Sequence, residues 1–391
     1  MKWLLKTTAA IILSTLTLLL QQPAVKAESF LHYEPIEIKS LSEEQVFLEL
    51  AETLQSILYA ADMALKETPD SVTHKTILPP SGDPHDYVSI GKYWWIDTEQ
   101  PSGSPYTNQD GRINPEGNES SRYDHNRLIR TASNIHKLSL AYYLTGKAEY
   151  AAKAIEFLEV FFINTESRMN PNLDFAQGIP GKVLGRGSGI IDTVCLIQIT
   201  DDLRMLEKSP LYSKDDAEAM KQWFSSYLDW MLTSKYGIHE SKASNNHGVW
   251  YDAQLSAYAL FIGNRDLAAQ IVREAAARRI DQQIQPDGSL PKELARTKSM
   301  SYTTFNLRAF ITMARVGNQV GVNIWDYSSP DGRNIKKAID YLIPYLEGTA
   351  QWQYEQIVPY HEPGFARYLY LAKIQYGTHE YDQAIQNLLK N

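Results

Sequence analysis

The feature that most constrains this chain is the spacing of its apolar residues, which follows the 3.6-residue period of an α-helix. In residues 41–65, Leu50 and Leu54 share one face, and Ser42 and Gln45 form a candidate capping box. The same spacing predicts helices over residues 126–145, 148–163, 214–234, 249–262, 264–284, 302–317 and 333–347. Alternation typical of strands is nearly absent, so the sequence predicts an all-α protein.

The predicted helices come in pairs, joined by alternately short and long segments that are rich in Gly, Pro and Asn. Paired helices in a chain of this length favour an (α/α) toroid, an incomplete barrel of about six to seven helical hairpins with a cleft at one end. A two-domain helical array is the alternative. No charge run or low-complexity linker marks a boundary, so we expect a single domain over residues 28–391.

Residues 1–27 have the order of a secretory signal peptide. Lys2 and Lys6 precede an uncharged apolar run from Ala9 to Leu20, and a small-residue exit follows. This run is too short for a stable membrane anchor. The sequence therefore predicts export, with Glu28 as the first mature residue and a periplasmic or secreted location.

The composition argues against several classes of partner and cofactor. The formal net charge of −8 repels nucleic acid and anionic membranes, so we expect neither as a partner. Cys195 is the sole cysteine and no HExxH motif occurs, so we predict no metal and no cofactor, although calcium on carboxylates stays open. Activity is accordingly expected to persist in a chelator. The sequence does not predict the oligomeric state.

Four long segments between the predicted helices contain unusual residues: 85–97, 170–193, 243–254 and 291–310. They carry, in chain order, Lys92, Tyr93, Trp94 and Trp95, then Gln177, Lys182 and Arg186, then Asn245, Asn246, His247 and Trp250, and finally Arg296 and Tyr302. The stretch GRGSGI in the second segment follows no predicted strand, which argues against a phosphate loop. Close backbone approach at its glycines is the favoured interpretation.

Four of these residues together fit the β-elimination of a uronate. Asn246 and His247 stand at a predicted helix start, where free N–H groups favour a carboxylate, and Arg296 adds a bidentate charge. Neighbouring Arg and His are expected to lower the pKa of the Tyr302 hydroxyl and make the phenolate accessible. Neutralising the carboxylate makes the C5 proton more acidic, and a second proton transfer, to the glycosidic oxygen, completes cleavage. Each residue also has a structural interpretation, as a helix cap, a surface charge or a core ring.

Three stretches resemble the alginate lyase superfamily of helical toroids: NPNLDFAQGIPGKVLGRGSGIIDT, NNHGVWYDAQ and ELARTKSMSYTTFNL. The likeness runs over about residues 85–308; it is similar to polysaccharide lyase family five and nearer to family thirty-eight. The resemblance implies that Asn246 and His247 hold and neutralise the uronate carboxylate, and that Tyr302, six residues after Arg296, is the acid/base. It further implies that Tyr302 serves as base and acid for mannuronate-type sugars, whereas His247 is the base for the C5 epimer.

The expected substrate is an anionic polysaccharide, either alginate or glucuronan. Sugar subsites are predicted at Gln177, Lys182, Arg186, Lys92, Tyr93, Trp94, Trp95, Asn245 and Trp250. Lys92 is also a candidate for a lysine that family five carries on a mobile lid.

Two other functions stay open at this point. One is a glycoside hydrolase on the same toroid, which uses two carboxylates and for which Asp192, Asp201 and Asp202 are the candidates. The other is a glycan-binding protein without catalysis. The sequence does not predict which uronate is preferred, or whether cleavage is endo or exo.

Overall fold

The computed structural model describes residues 30–32, 43–99 and 105–390, and for residues 43–53 it describes the backbone alone. The predicted signal peptide and the candidate capping box at Ser42 and Gln45 lie outside these described parts. Across the described ranges, none of the helices combines the length and apolar character needed to cross a membrane.

Helices make up most of the described chain, which confirms the all-α prediction in part, because four short strands also occur. The helices are α1 Glu43–Leu65, α2 His125–Thr145, α3 Ala148–Leu158, α4 Leu196–Leu206, α5 Lys214–Thr233, α6 Lys235–Glu240, α7 Asn246–Phe261, α8 Arg265–Ala275, α9 Asp281–Gln283, α10 Pro291–Leu294, α11 Ser299–Val320, α12 Ile335–Glu347, α13 Phe365–Tyr376 and α14 Asp382–Lys390. Short 3₁₀ and π-helical turns connect several of them.

Several helices differ from their predicted bounds, and local structure explains two of these differences. The helix predicted from residue 249 begins at Asn246, because the Asn245 side chain caps it by accepting a hydrogen bond from the His247 backbone N–H at 3.2 Å. The helix predicted over residues 264–284 is interrupted, since α8 passes into a π-helical turn before α9.

The sequence analysis predicted no bounds for α4, α6, α13 or α14, and for α4 the reason is visible in its sequence. This helix carries adjacent acids, Asp201 and Asp202, which mask its apolar pattern and are both fully buried in the structure.

Four short strands occur in the described chain, and all of them lie in segments that connect helices. β1 (Val88–Ile90) pairs in parallel with β4 (Phe175–Gly178). β2 (Trp94–Ile96) pairs antiparallel with β3 (Tyr106–Asn108). This pairing places the aromatic block of the first segment beside the glycine-rich second segment.

The core is built around α7, which is buried on nearly every face. It packs against α5, α8 and α11, so the His247 end of α7 is held among other helices. One continuous apolar cluster includes residues from Leu31 to Leu388. The single domain expected over residues 28–391 stays a prediction.

The glycines of the second segment permit close backbone approach, as predicted. A Cβ atom at Gly178 would lie 2.5 Å from the Leu184 carbonyl oxygen, and one at Gly189 would lie 2.5 Å from Cβ of Ala176. No side chain fits at such distances, so GRGSGI is explained by packing.

Candidate active site

A buried carboxylate from another segment holds the start of α7. The backbone N–H of Asn246 donates to Oε1 of Glu293 at 2.6 Å, and its side-chain Nδ2 donates to Oε2 at 2.7 Å. Burial raises the pKa of the Glu293 carboxyl, against the opposing effect of these hydrogen bonds. The expectation of free N–H groups for a substrate carboxylate at this helix start is therefore wrong, because Glu293 already occupies the position.

Asn246 itself is only 1% exposed, so its amide does not reach the protein surface in this structure. Its Oδ1 atom is buried without a hydrogen-bond partner. The direct contact with a uronate that the sequence predicted for Asn246 does not fit this placement. Its observed contacts instead tie α10, which precedes Arg296, to the start of α7.

His247, the next residue of α7, keeps 22% of its side chain exposed and has one ring nitrogen fixed. Its Nδ1 lies 2.5 Å from Oε1 of Glu240, a nearly buried carboxylate at the end of α6. A carboxylate only accepts hydrogen bonds, so Nδ1 carries the hydrogen and Nε2 is the nitrogen left for a substrate. Glu240 thus sets both the tautomer and the orientation of the ring.

Arg296 is bound on two sides. Its guanidinium donates to Asp110 through Nε at 3.1 Å and through Nη2, and its Cζ lies 3.7 Å from the centre of the Tyr302 ring. The charge that the sequence assigned to a substrate carboxylate is therefore paired with Asp110. The same guanidinium also forms a cation–π contact with the tyrosine predicted to be the acid/base.

Tyr302 lies at the start of α11, and its hydroxyl oxygen is 2.5 Å from that of Tyr93. Burial, followed by the neighbouring Tyr93, raises the pKa of Tyr302 well above its ordinary value, and the charge of Arg296 only partly opposes this. The expectation of a lowered pKa was wrong because it left out the burial of the phenol. Burial therefore favours the protonated form of the Tyr302 hydroxyl.

Three predicted subsite residues meet around one indole ring. Trp94 is partly exposed, with Nζ of Lys182 at 4.9 Å and Cζ of Arg186 at 5.8 Å from its ring centre. Burial lowers the pKa of Arg186, whereas the carboxylate of Glu240, the partner of His247, acts to raise it. The positive charge expected for a polyanion site is therefore present, close to the histidine end of the site.

The rest of the aromatic block is also partly accessible. Lys92 is exposed, with its Nζ 5.4 Å from the ring centre of Tyr93, and Trp95 donates from Nε1 to a backbone carbonyl at 2.8 Å. Because Tyr93 reaches Tyr302, this block lies at the candidate site.

Two predicted subsite residues are buried instead, and these assignments are corrected. Trp250 is 2% exposed and packs against Phe305 with ring centres 5.0 Å apart. Gln177 is 7% exposed and donates from Nε2 to Asp192 at 2.7 Å, while its Oε1 accepts from Arg186 at 3.0 Å. Its backbone φ of 48° is strained for a side chain other than glycine. Gln177 therefore supports Arg186 from below the surface, and Trp250 belongs to the core.

The three aspartates considered for a hydrolase are all buried. Asp201 accepts from the backbone of Leu31, Asp202 lies 2.8 Å from Nδ1 of His136, and Asp192 accepts from Gln177. No pair of open carboxylates is left among them for glycoside hydrolysis. In the described parts of the chain, no group of three or more His, Cys, Asp or Glu side chains is arranged to hold a metal ion.

Sequence reasoning missed three acids that organise this site: Asp110, Glu240 and Glu293. The sequence carried a signal for Glu293, because this acid precedes the predicted site residue Arg296 by only three positions. Asp110 gave no such signal, because it lies in a turn far from Arg296 in the chain.

We expect Asp110→Asn to lower turnover by about 10–100-fold, because it removes a charged hydrogen-bond partner of Arg296. Burial disfavours the Asp110 carboxylate, but hydrogen bonds from Arg296 and Thr297 outweigh it and lower the pKa to about 2. The folded pKa lies below the ordinary value, so the stabilisation is complete above about pH 4 and is lost as pH falls towards 2. Thermal unfolding should therefore separate wild type from variant at pH 5 and bring them together near pH 2. A constant difference across this range would contradict the assignment.

Comparison with known proteins identifies relatives of this chain. The family model described as alginate lyase matches residues 71–352. The crystal structure of an alginate lyase from Bacteroides ovatus is similar at 39% identity and a TM-score of 0.83, covering 87% of this chain and 90% of that chain. A search of curated proteins found no match.

Two more distant structures share the fold. Alginate lyase A1-III from Sphingomonas species A1 has a TM-score of 0.53 at 13% identity, covering 84% of this chain and 88% of that chain. A histidine-to-alanine variant of that enzyme, complexed with a tetrasaccharide, has a TM-score of 0.51 at 13% identity, covering 82% of this chain and 86% of that chain.

A family match over most of the chain, together with a relative of this similarity, defines an enzyme of the polysaccharide lyase class. The chain belongs to the alginate lyase family.

Proposed function

We propose that this protein cleaves a polyuronate, with alginate as the first candidate and glucuronan as the second, by β-elimination. Tyr302 carries the proposal, since its hydroxyl is held by Tyr93 and its ring faces the guanidinium of Arg296. The reaction leaves an unsaturated uronate at the new end. The relative from Bacteroides ovatus, itself an alginate lyase, supports alginate as the substrate.

In the proposed reaction, His247 in its doubly protonated form donates from Nε2–H to the uronate carboxylate and so contributes to neutralising it. The raised pKa of Tyr302 suits the acid step, in which its proton passes to the oxygen that leaves C4. For mannuronate-type units, Tyr302 reacts as the phenolate after its own proton has left to solvent, and the charge of Arg296 stabilises that phenolate; it takes the C5 proton and passes the same proton to the oxygen that leaves C4. For the C5 epimer, the neutral form of His247 removes that proton through Nε2 instead, and Tyr302 protonates the leaving oxygen.

The proposal includes three features of the whole protein. The helices form an (α/α) toroid of about six to seven hairpins, which is supported by the paired helices and the fold of the relatives. Residues 1–27 direct export, to the periplasm or beyond, as their order of charged and apolar residues suggests. No cofactor takes part.

The test is ultraviolet absorbance, since elimination creates a conjugated double bond and hydrolysis does not. We expect absorbance to rise with polymannuronate, polyguluronate or glucuronan, and to rise equally with a chelator present. New reducing ends without absorbance would show a hydrolase. Binding without either product would show a glycan-binding protein.

A further inference from the structure

Accessible residues run along α11 away from Tyr302. Between residues 299 and 317, this helix is buried except at Ser301, Tyr302, Phe305 and Arg308. At about 100° per residue, these four positions fall within about 120° of one another, so they share one face, here called the α11 stripe. Arg308 lies six residues beyond Tyr302, which is about 9 Å along the helix axis.

Arg308 lies at the far end of the α11 stripe from Tyr302 and carries a positive charge. Within the described ranges it has no ion-pair partner, whereas Arg127, Arg279 and Arg296 each pair with an aspartate. Its Nε atom is buried without a hydrogen-bond partner. The Tyr368 hydroxyl accepts from this guanidinium, but no carboxylate among the described residues pairs with its charge, so its accessible position fits an external anion.

The surroundings of Arg308 add aromatic surface and a second cation. Its Cζ lies 5.7 Å from the ring centre of Phe305 and 5.2 Å from that of Tyr368. Arg367 approaches the same Tyr368 ring at 5.4 Å. Burial would raise the pKa of Tyr368, but the charges of Arg308 and Arg367 outweigh it and lower that pKa. The potential here is therefore positive, in a chain of net charge −8.

Acids on the neighbouring helix α4 do not cancel this potential. Asp201 lies 3.0 Å from the Nδ1 atom of His32, and Asp202 lies 2.8 Å from that of His136. Both aspartates are fully buried, so they do not compete at the accessible stripe.

We propose that Arg308, backed by Tyr368 and Arg367, is a second carboxylate-binding subsite, for a uronate unit distal to the unit cleaved at Tyr302. The inference rests on the proposed function. A polyuronate has a carboxylate on every sugar, so a chain seated at Tyr302 carries further carboxylates along the α11 stripe. The guanidinium binds such a group in bidentate fashion, and Phe305 offers an apolar face beside it.

The test compares Arg308→Gln, which keeps the length of the side chain, with wild type on uronate oligosaccharides of increasing length. For long oligosaccharides we expect KM to rise about tenfold or more with kcat unchanged, since a charged hydrogen-bond partner is lost. For the shortest oligosaccharide that is cleaved, KM should stay the same. Arg308→Lys should give an intermediate result, because it keeps the charge but not the bidentate geometry.

Arg273→Gln is the matched control, since it removes the same charge from an exposed position on α8. An unchanged KM for Arg308→Gln, or an equal rise at every length, would overturn the subsite. If wild type cleaves no uronate, the proposed function fails by itself, and calorimetry still tests the subsite. In that case Arg308→Gln must weaken binding of a charged oligouronate but not of one whose carboxyl groups are reduced to alcohols.

Discussion

Replacing Tyr302 with phenylalanine is expected to lower kcat on a polyuronate by about 10²–10⁴-fold or more, because the hydroxyl serves proton transfer in the proposed reaction. The substitution leaves the ring, and hence the contact with Arg296, in place. It removes only the oxygen that lies 2.5 Å from the Tyr93 hydroxyl. KM or direct binding of an oligosaccharide should change little, since the positively charged groups around Trp94 remain.

The matched control is Tyr93→Phe, which removes the other hydroxyl of the same hydrogen bond. We expect a smaller loss of kcat, of about tenfold, because only a supporting hydrogen bond disappears. Steady-state rates by absorbance, with thermal unfolding to check folding, make the comparison. Near-normal turnover of a folded Tyr302→Phe protein would refute the mechanism and leave Tyr302 a structural residue.

The second large effect is expected at His247. His247→Ala should lower kcat by about 10²–10⁴-fold and also raise KM, because it removes both the group that faces the carboxylate and a proton acceptor. This differs from Tyr302→Phe, which should leave binding nearly intact. Loss of turnover without any loss of binding would contradict the assignment of His247 to the carboxylate.

Glu240→Gln separates a positioning role from a structural one. Glutamine keeps the shape of the side chain but no longer fixes the hydrogen on Nδ1 of His247, which a carboxylate 2.5 Å away does. We expect about a 10–100-fold lower kcat/KM and a shifted pH profile of kcat/KM. A purely structural role for Glu240 would lower thermal stability but leave that pH profile where it is in the wild type.

Much of the local structure was predictable from the sequence. The apolar residues of α2, α5 and α12 recur with the period of a helix. This pattern is visible in the sequence because side chains on one helix face are three or four positions apart. The asparagines before His247 marked a helix start for the same reason, since the capping contact of Asn245 lies within one turn. The sequence blocks that resemble the alginate lyase superfamily contain Tyr302, His247 and Arg296, so these residues could be predicted as site residues from the sequence.

The partners of those residues were decided by the tertiary structure alone. Arg296 pairs with Asp110 across 186 positions of chain, and Tyr93 reaches Tyr302 across 209. The sequence also does not show which groups are buried. It therefore suggested free N–H groups at the start of α7, where Glu293 accepts the hydrogen bond of Asn246. It also suggested a lowered pKa for Tyr302, whereas burial raises that pKa. The physical reason is that helix periodicity and capping are local interactions. Pairing, desolvation and pKa depend on which distant loops fold against one another.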